Sequence, residues 1–124
     1  MTILPYDKAE SAAVILRQQA DAPTTAVVLG SGLGAFAQQL RDAIIVPYSE
    51  LPGFPEVGVV GHAGQLVIGR IGSDGPRVAA LSGRVHLYEG HDPNVIAHPA
   101  RTLSRWGVKA TVFTNAAGAI SPNL

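Results

Sequence analysis

The sequence has no cysteine, and only 15% of its 124 residues are charged. Without thiols, disulfide bonds and thiolate metal sites are excluded. Basic and acidic residues are equal in number, nine of each, so the net charge is zero and no basic surface for nucleic acid is indicated. No apolar run approaches the roughly 18 residues of a transmembrane helix. We therefore expect neither a nucleic-acid nor a membrane partner.

The amino terminus also lacks the basic stretch and apolar core of a secretory signal. Together with the absence of cysteine, this favours a cytoplasmic protein. The apolar fraction of 47% is ordinary for a globular protein, and the length fits one domain. No set of His, Asp and Glu residues has the spacing of metal ligands, so no metal site is predicted.

The hydrophobic pattern alternates between strand-like and helix-like segments, which predicts an α/β fold with a mixed, mostly parallel sheet flanked by helices. Helices are predicted over 7–19, 35–41 and 93–106, and strands over 25–29, 43–48, 65–71, 77–82 and 109–115. Glycine and proline in 72–76 predict a hairpin, and Gly107 is expected to end the third helix. Trp106 and Phe113 are expected in the core, whereas His91 and His98 are expected at the surface.

The segment 83–90 contains the side chains that point most clearly to ligand binding. Arg84, His86 and Tyr88 alternate after a short apolar run, and alternate residues of an extended chain face the same side. The planar guanidinium group of arginine presents several N–H donors that match phosphate oxygens. Histidine can donate a hydrogen bond to an anion or a hydroxyl. Tyrosine offers a flat face with a polar tip, which suits a sugar. The pattern indicates an anion site beside a sugar site, and the alternative for Arg84 is a surface ion pair.

Residues 30–34, Gly-Ser-Gly-Leu-Gly, lie between a predicted buried strand and a predicted helix. Glycines permit a tight turn with exposed amide hydrogens, and a helix amino terminus favours an anion. Ser31 adds a hydroxyl donor. The same residues fit the loose glycine pattern of dinucleotide-binding folds, which requires an acid at the end of the next strand; Glu50 lies near that place, in a turn. A phosphate site, a nicotinamide or flavin site and a structural turn all remain open.

Two further segments place small residues where a backbone can approach a ligand closely. His62 lies between glycine and alanine in Gly-His-Ala-Gly. Residues 114–119 lie at the end of a predicted strand, and ligands of parallel sheets bind beyond the carboxyl ends of the strands. Taken alone, each segment also fits a structural turn.

Together these segments resemble the amino-terminal half of purine nucleoside phosphorylases of the trimeric, inosine- and guanosine-specific class. Five pieces carry the resemblance in the order of the family: GSGLG at 30–34, LPGFP at 51–55, GHAG at 61–64, GRVHLYEGH at 83–91 and TNAAGAI at 114–120. The resemblance covers most of the chain from Ala26 onward. The related methylthioadenosine phosphorylases differ around the arginine–histidine segment, so the purine nucleoside branch is favoured.

The resemblance implies roles for particular residues. It assigns phosphate contacts to Ser31, His62, Arg84, Val85 through its backbone, His86, and Ala116 through its amide. Tyr88 would contact the ribose, and Gly32 and Asn115 would support the phosphate loops.

The implied reaction is reversible phosphorolysis of a purine ribonucleoside, which yields the free base and ribose 1-phosphate. Purine nucleoside and inorganic phosphate would be the substrates, with no metal or organic cofactor and with phosphate as co-substrate. The resemblance further implies a homotrimer for a full-length protein.

The resemblance extends over only the first half of the family. Residues 1–124 are therefore expected to form the amino-terminal part of a single nucleoside phosphorylase domain, with no positions that match the purine-binding acid and asparagine of the family. An α/β sheet divided in this way leaves a strand edge unpaired, so we expect the isolated chain to be marginally stable, to aggregate or to require a partner surface. The alternative to a phosphorylase is a non-catalytic polypeptide that binds phosphate or nucleoside, and a dinucleotide-binding domain is a third.

Overall fold

The α/β pattern predicted from the sequence is present in the computed structural model, which describes residues 5–30, 33–54, 64–83 and 93–114. The elements in chain order are α1 (Pro5–Gln19), β1 (Thr25–Leu29), α2 (Ala35–Gln38), β2 (Arg41–Pro47), a 3-10 turn (Tyr48–Glu50), β3 (Gln65–Arg70), β4 (Arg77–Ser82), α3 (Pro93–Trp106) and β5 (Ala110–Phe113). None of the helices in this described part is long and apolar enough to cross a membrane.

The strands form one sheet in the order β2-β3-β4-β1-β5. β1 lies between β4 and β5 and is parallel to both, whereas β2, β3 and β4 pair antiparallel in sequence order. The mixed sheet expected from the sequence is confirmed. Two of its four pairings are parallel and two are antiparallel, all between described residues.

Two helices cover one face of the sheet. α1 and α3 pack against each other, and their apolar side chains join those of the strands in the larger core cluster. Its members include Ala12, Ala13, Leu16, Leu66, Ile68, Leu81, Leu103 and Trp106. Trp106 is 5% exposed, as expected for a core residue, and its indole Nε1 donates to the carbonyl oxygen of Ala20 at 3.1 Å.

The other face of the sheet has a smaller core. Its cluster consists of Leu29, Ala37, Leu40, Val67, Val78 and Ala80, and α2 is the helix of the described chain that packs there, with four residues. Because a single helical turn shields little area, most of this face depends on side chains of the strands themselves.

Phe113 is not a core residue, contrary to expectation. Its side chain is 57% exposed, and that of Val112 is 49% exposed. The reason is the place of β5 in the sheet: within the described residues it pairs with β1 alone and forms an edge. Apolar residues on an edge strand keep a free side, which the sequence pattern of a buried strand does not reveal.

His98 also departs from its expected place at the surface, because the residue is only 4% exposed. His91 lies outside the described residues. The helix that carries His98 begins and ends where the sequence predicts, at Pro93 and Trp106. Gly107 follows it with a φ of 125° and donates its N–H to Leu103 at 3.1 Å, which closes the helix.

Element lengths differ from expectation mainly around β2. The helix after the glycine segment is a single turn, and the next strand starts at Arg41, two residues earlier than predicted. Asp42 has a φ of 52°, and the pairing with β3 shifts register between Arg41 and Ile44. This irregularity bends the start of β2. The hydrophobic pattern of the sequence does not predict such a shift in register.

Candidate functional site

Three parallel strands end at one side of the sheet. Leu29 of β1 pairs with Ser82 of β4, and Val28 of β1 pairs with Phe113 of β5. The next residues of the chain, Gly30, Gly83 and Thr114, therefore leave the sheet side by side. Ligands of α/β sheets bind in the crevice beyond the carboxyl ends of parallel strands, so this side is the candidate binding region.

The antiparallel strands bring two more segments to the same side. Gln65 at the start of β3 pairs with Ser82 at the end of β4 and with Pro47 at the end of β2. Gly64, which precedes β3, and the turn that follows β2 thus lie beside the ends of the parallel strands. We call this side, marked by Gly30, Gly64, Gly83 and Thr114, the site rim.

Four of the five segments that carry the family resemblance contribute a described residue to the site rim, and described residues of the fifth, 51–54, belong to the turn after β2. The residues expected to form or support the phosphate and ribose contacts lie within five positions of a rim residue in the chain. These residues, Ser31, Gly32, His62, Arg84, Val85, His86, Tyr88, Asn115 and Ala116, lie outside the described residues. Their assigned roles stay predictions, and the structure supplies the positions of their described chain neighbours.

Thr114 links two of the rim segments. Its hydroxyl accepts a hydrogen bond from the backbone N–H of Gly30 at 2.7 Å and donates one to the carbonyl oxygen of Val28 at 2.8 Å. Its own N–H donates to the same carbonyl at 3.0 Å. The hydroxyl therefore fixes the start of the glycine segment against the start of the 114–120 segment. Sequence reasoning gave Thr114 no role, although a threonine that directly follows a strand at a rim is a recognisable signal for such a bond.

The start of α2 contributes little electrostatic field to the rim. A helix of four residues has few aligned peptide dipoles, and its N-cap, Gly34, makes no side-chain hydrogen bond. Gly34 does lie close to the end of β4, since a Cβ atom on it would be 3.9 Å from the Ser82 hydroxyl. An anion near this segment would thus depend on amide and side-chain donors rather than on a helix dipole.

The sheet order argues against the dinucleotide-binding alternative. That fold places the strand after the glycine turn beside the first strand and parallel to it, with an acid at its end. Here β1 is flanked by β4 and β5, whereas β2 lies at the far edge and runs antiparallel to β3. Glu50 is exposed in the turn after β2, three strands away from the glycine segment.

A histidine and two aromatic rings hold the turn after β2. The Nε2 atom of His98 lies 2.7 Å from the carbonyl oxygen of Pro52. The Phe54 ring meets the His98 ring edge-on, with centroids 5.3 Å apart, and lies 5.0 Å from the ring of Tyr48. Burial raises the pKa of the Tyr48 phenol well above its usual value, so it stays neutral. Burial also lowers the pKa of His98, against the opposing effect of the Pro52 carbonyl.

No cluster of three or more potential metal ligands occurs in the part of the chain that the structure describes.

Comparison with known proteins identifies the family. A family model described as the phosphorylase superfamily matches residues 24–124. The chain belongs to the phosphorylase superfamily. It is 41% identical over 113 residues to purine nucleoside phosphorylase 1 of Geobacillus stearothermophilus, an alignment that covers 90% of this chain and 40% of that protein. The resemblance drawn from the five sequence segments is thereby confirmed.

Solved structures agree with this assignment. A crystal structure of a purine nucleoside phosphorylase in complex with ribose 1-phosphate superimposes with a TM-score of 0.87 and 33% identity, and covers 99% of this chain and 45% of its own. The Schistosoma mansoni purine nucleoside phosphorylase in complex with inosine gives a TM-score of 0.84 at 33% identity, with 95% and 41% covered. The chain thus spans less than half the length of these superfamily members.

Proposed function

We propose that this chain carries the phosphate-binding part and a portion of the ribose-binding part of a purine nucleoside phosphorylase. The observation that supports it most is the site rim, where described residues of separate family-like segments lie beside one another although they are far apart in the sequence. Membership of the superfamily and the similarity to enzymes solved with ribose 1-phosphate and with inosine support the same substrate class.

The proposed phosphate site consists of donors that belong to separate segments of the rim. Ser31 supplies a hydroxyl, Arg84 a guanidinium, and His62 and His86 supply imidazoles. Two backbone groups, at Val85 and Ala116, complete the set of donors. Because phosphate oxygens accept hydrogen bonds in several directions, donors from different strands enclose the anion better than one loop does.

The proposed ribose contact is Tyr88, which follows the phosphate residues along the same segment. Gly32 and Asn115 are proposed to support the loops that carry Ser31 and Ala116.

The proposed reaction is displacement at the anomeric carbon. A phosphate oxygen forms a bond to C1′ while the bond from C1′ to the purine nitrogen breaks, and the electron pair of that bond leaves with the purine. Positive charge develops on the sugar ring, as in glycoside hydrolysis. A phosphate held beside that charge stabilises it, and holding it in line with C1′ adds an orientation effect.

The cofactor requirement, the location and the oligomeric state are proposed from the same family resemblance. Inorganic phosphate acts as co-substrate without a metal or organic cofactor, the location is cytoplasmic, and the complete enzyme is a homotrimer.

The test uses the purified chain with inosine and inorganic phosphate. Phosphate binding is measured by calorimetry, and release of hypoxanthine is measured in the same samples. In Arg84→Ala, phosphate affinity should fall about 10- to 150-fold, because one hydrogen bond to a charged group contributes about 1.5–3 kcal/mol. Arg77→Ala is the matched control: Arg77 is exposed at the opposite end of β4, so its loss should leave the affinity unchanged.

Measurements of phosphate binding and of hypoxanthine release distinguish a catalytic form of the proposed function from a non-catalytic one. Phosphate binding with phosphate-dependent release of hypoxanthine would mean that the chain forms a working active site. Phosphate binding without release would favour the alternative, a non-catalytic polypeptide that binds phosphate or nucleoside. Equal binding by the wild type and Arg84→Ala would contradict both versions.

A further inference from the structure

A groove opens at the end of the sheet opposite the site rim. Its volume is about 550 Å³, and it is lined by the segment that leads into β1, by β1 itself and by the turn between β3 and β4 with the start of β4. We call it the basal groove and define it by residues 22–25, Val27, Ile71 and 76–78. Thr25 pairs with Val78 at this end of the sheet, whereas Leu29 pairs with Ser82 at the rim. The groove is therefore separate from the proposed phosphate site.

The floor of the basal groove belongs to the smaller core of the sheet. Val78 is a member of that core, and half-buried Val27 packs against it. Leu40, which follows α2, covers β3 instead, since a Cβ atom on Gly69 would be 2.8 Å from the Cβ atom of Leu40. Parallel strands are normally covered on both faces, so an opening over β1 and β4 offers apolar surface to a ligand.

The walls of the groove are also mostly apolar. Pro23, before β1, is buried, and Ile71, after β3, is 42% exposed. Thr24 and Thr25 are the neutral polar residues of the lining. Small-molecule sites are clefts of roughly 300–1,000 Å³ with a mainly apolar lining and a few polar groups. The basal groove has that size and that composition.

Arg77 is the charged residue among those that line the groove, and it belongs to a row of three arginines across the sheet. Arg41 of β2 pairs with Arg70 of β3, which pairs with Arg77 of β4. The carboxylate of Asp42 forms an ion pair with Arg70. Arg77 forms no ion pair with any described residue, Asp74 of the adjoining turn included. Like charges on neighbouring strands repel, and an anion bound at Arg77 would relieve that repulsion.

The size and the charge of the groove favour a small molecule over a protein surface. Two turns of a helix with its side chains fill about 1,000 Å³, which exceeds the volume of the groove. In a symmetric dimer each copy presents the same surface to the other. A second copy seated here would therefore bring a second Arg77 close to the first, and the two charges would repel each other.

We propose that the basal groove binds a small amphipathic anion, a molecule with an apolar body and one anionic head group. The apolar body packs on Val27, Ile71 and Val78, and the head group forms an ion pair with Arg77. Because the groove is separate from the site rim, the inference does not depend on the phosphorylase function. Inorganic phosphate has no apolar body and would gain only an exposed ion pair, which contributes little, so Arg77→Ala remains a control for the phosphate site.

The experiment titrates octanoate, hexanoate and butyrate into the wild-type chain and measures binding by calorimetry. We expect saturable binding of one octanoate per chain, and each methylene removed should weaken it about 2- to 4-fold because apolar contact contributes to the affinity. Octan-1-ol has the same apolar body without the charge and should bind more weakly than octanoate. Octyl phosphate tests the head group, since the tighter of the two anions shows whether carboxylate or phosphate is preferred. Equal affinities for octanoate and octan-1-ol, or for octanoate and butyrate, would overturn the proposal.

Two variants assign the binding to the groove. Arg77→Gln removes the cation, so octanoate affinity should fall about 2- to 5-fold, as for an ion pair open to water, while octan-1-ol affinity stays the same. Ile71→Ser removes apolar surface and should weaken both ligands about 3- to 10-fold. The matched controls are Lys8→Gln, which removes an exposed cation of α1, and Val14→Ser, which changes an exposed valine of α1. Both controls should bind octanoate like the wild type, and equal octanoate affinities of wild type and Arg77→Gln would contradict the ion pair.

A nuclear magnetic resonance titration of the wild type covers the case in which a variant does not fold. Octanoate should shift the amide resonances of Thr25, Val27 and Val78 and leave those of Gly30 and Thr114 at the site rim in place. Octanoate that binds without shifting the groove resonances would show that the groove is not its site, and the absence of saturable binding would refute the proposal outright. Self-association that Ile71→Ser abolishes would mean that a second copy occupies the groove instead. A chain that binds octanoate but no phosphate would contradict the proposed function alone.

Discussion

The Thr114 hydroxyl holds the Gly30 amide at 2.7 Å and joins two segments that are 84 residues apart in the sequence. Both segments start at the ends of neighbouring parallel strands, and each leads to a proposed phosphate donor, Ser31 in one and Ala116 in the other. A single threonine thus sets the spacing between two parts of the proposed site.

Replacing Thr114 by valine should lower both stability and phosphate affinity. Valine keeps the shape but leaves the Gly30 N–H without its acceptor, which costs about 1–3 kcal/mol for a part-buried donor. Urea denaturation measures the loss of stability, and phosphate titration measures the effect on binding. Thr114→Ser retains the hydroxyl and should stay close to wild type. If serine and valine behave alike, the hydroxyl has no such role.

Replacing Gly53 by alanine should destabilise the protein more than replacing Gly72. Both glycines have positive φ values, 79° and 68°, so both substitutions incur backbone strain of about 1–2 kcal/mol. Only at Gly53 would the new methyl group also collide with a side chain, that of His98, whereas nothing lies within 4 Å at Gly72. Thermal melts of the two variants give the comparison, and equal losses would mean that the ring of His98 moves aside freely.

The stability of the wild-type chain should depend on His98 in the mildly acidic range. Its pKa is lowered in the folded protein, so below about pH 6.5, the ordinary pKa of histidine, the unfolded chain binds more protons at this residue. The contribution is therefore complete above that pH and is lost as the pH falls through the folded pKa. Denaturation between pH 5 and 8 measures the slope, which should be shallower in His98→Phe and unaltered in Trp106→Phe.

The edge that β5 forms in the described part of the sheet should promote self-association. Val112 and Phe113 expose apolar side chains on a strand that pairs on one side alone within the described residues, and such edges pair with other chains. Val112→Lys should reduce the association measured by light scattering, because a charged edge strand resists pairing. Val14→Lys changes an exposed valine of α1 and serves as control. Equal effects of the two substitutions would point to net charge rather than to the edge.

Local signals predicted most of the fold correctly. Pro93 and Gly107 mark the two ends of α3, and the glycine-rich turn between β3 and β4 marks their hairpin. Each depends on backbone preferences of the residues themselves, which act wherever the segment lies. The order of the strands was not predicted, because the pairing of β1 with β4 and β5 depends on contacts between distant parts of the chain.

Two errors have a common physical origin. His98 was expected at the surface because it is polar, yet it lies on the same side of α3 as buried Thr102, one turn later. The deciding contact, the Pro52 carbonyl, comes from a remote turn and leaves no local trace. Phe113 was expected inside because it is apolar, and its exposure depends on how many neighbours its strand has. Both outcomes follow from partners that local sequence does not specify.

The central place of β1 also bears on how the chain folds during synthesis. Thr25 pairs with Val78 on one side and with Ala110 on the other, so neither neighbour of β1 exists when the strand leaves the ribosome. Pairings between distant parts of a chain form slowly, because loop closure precedes their stabilising contacts. The hairpin of β3 and β4 can form early from local contacts. The bond between Thr114 and Gly30, which depends on the last strand described, closes the rim only after β5 has emerged.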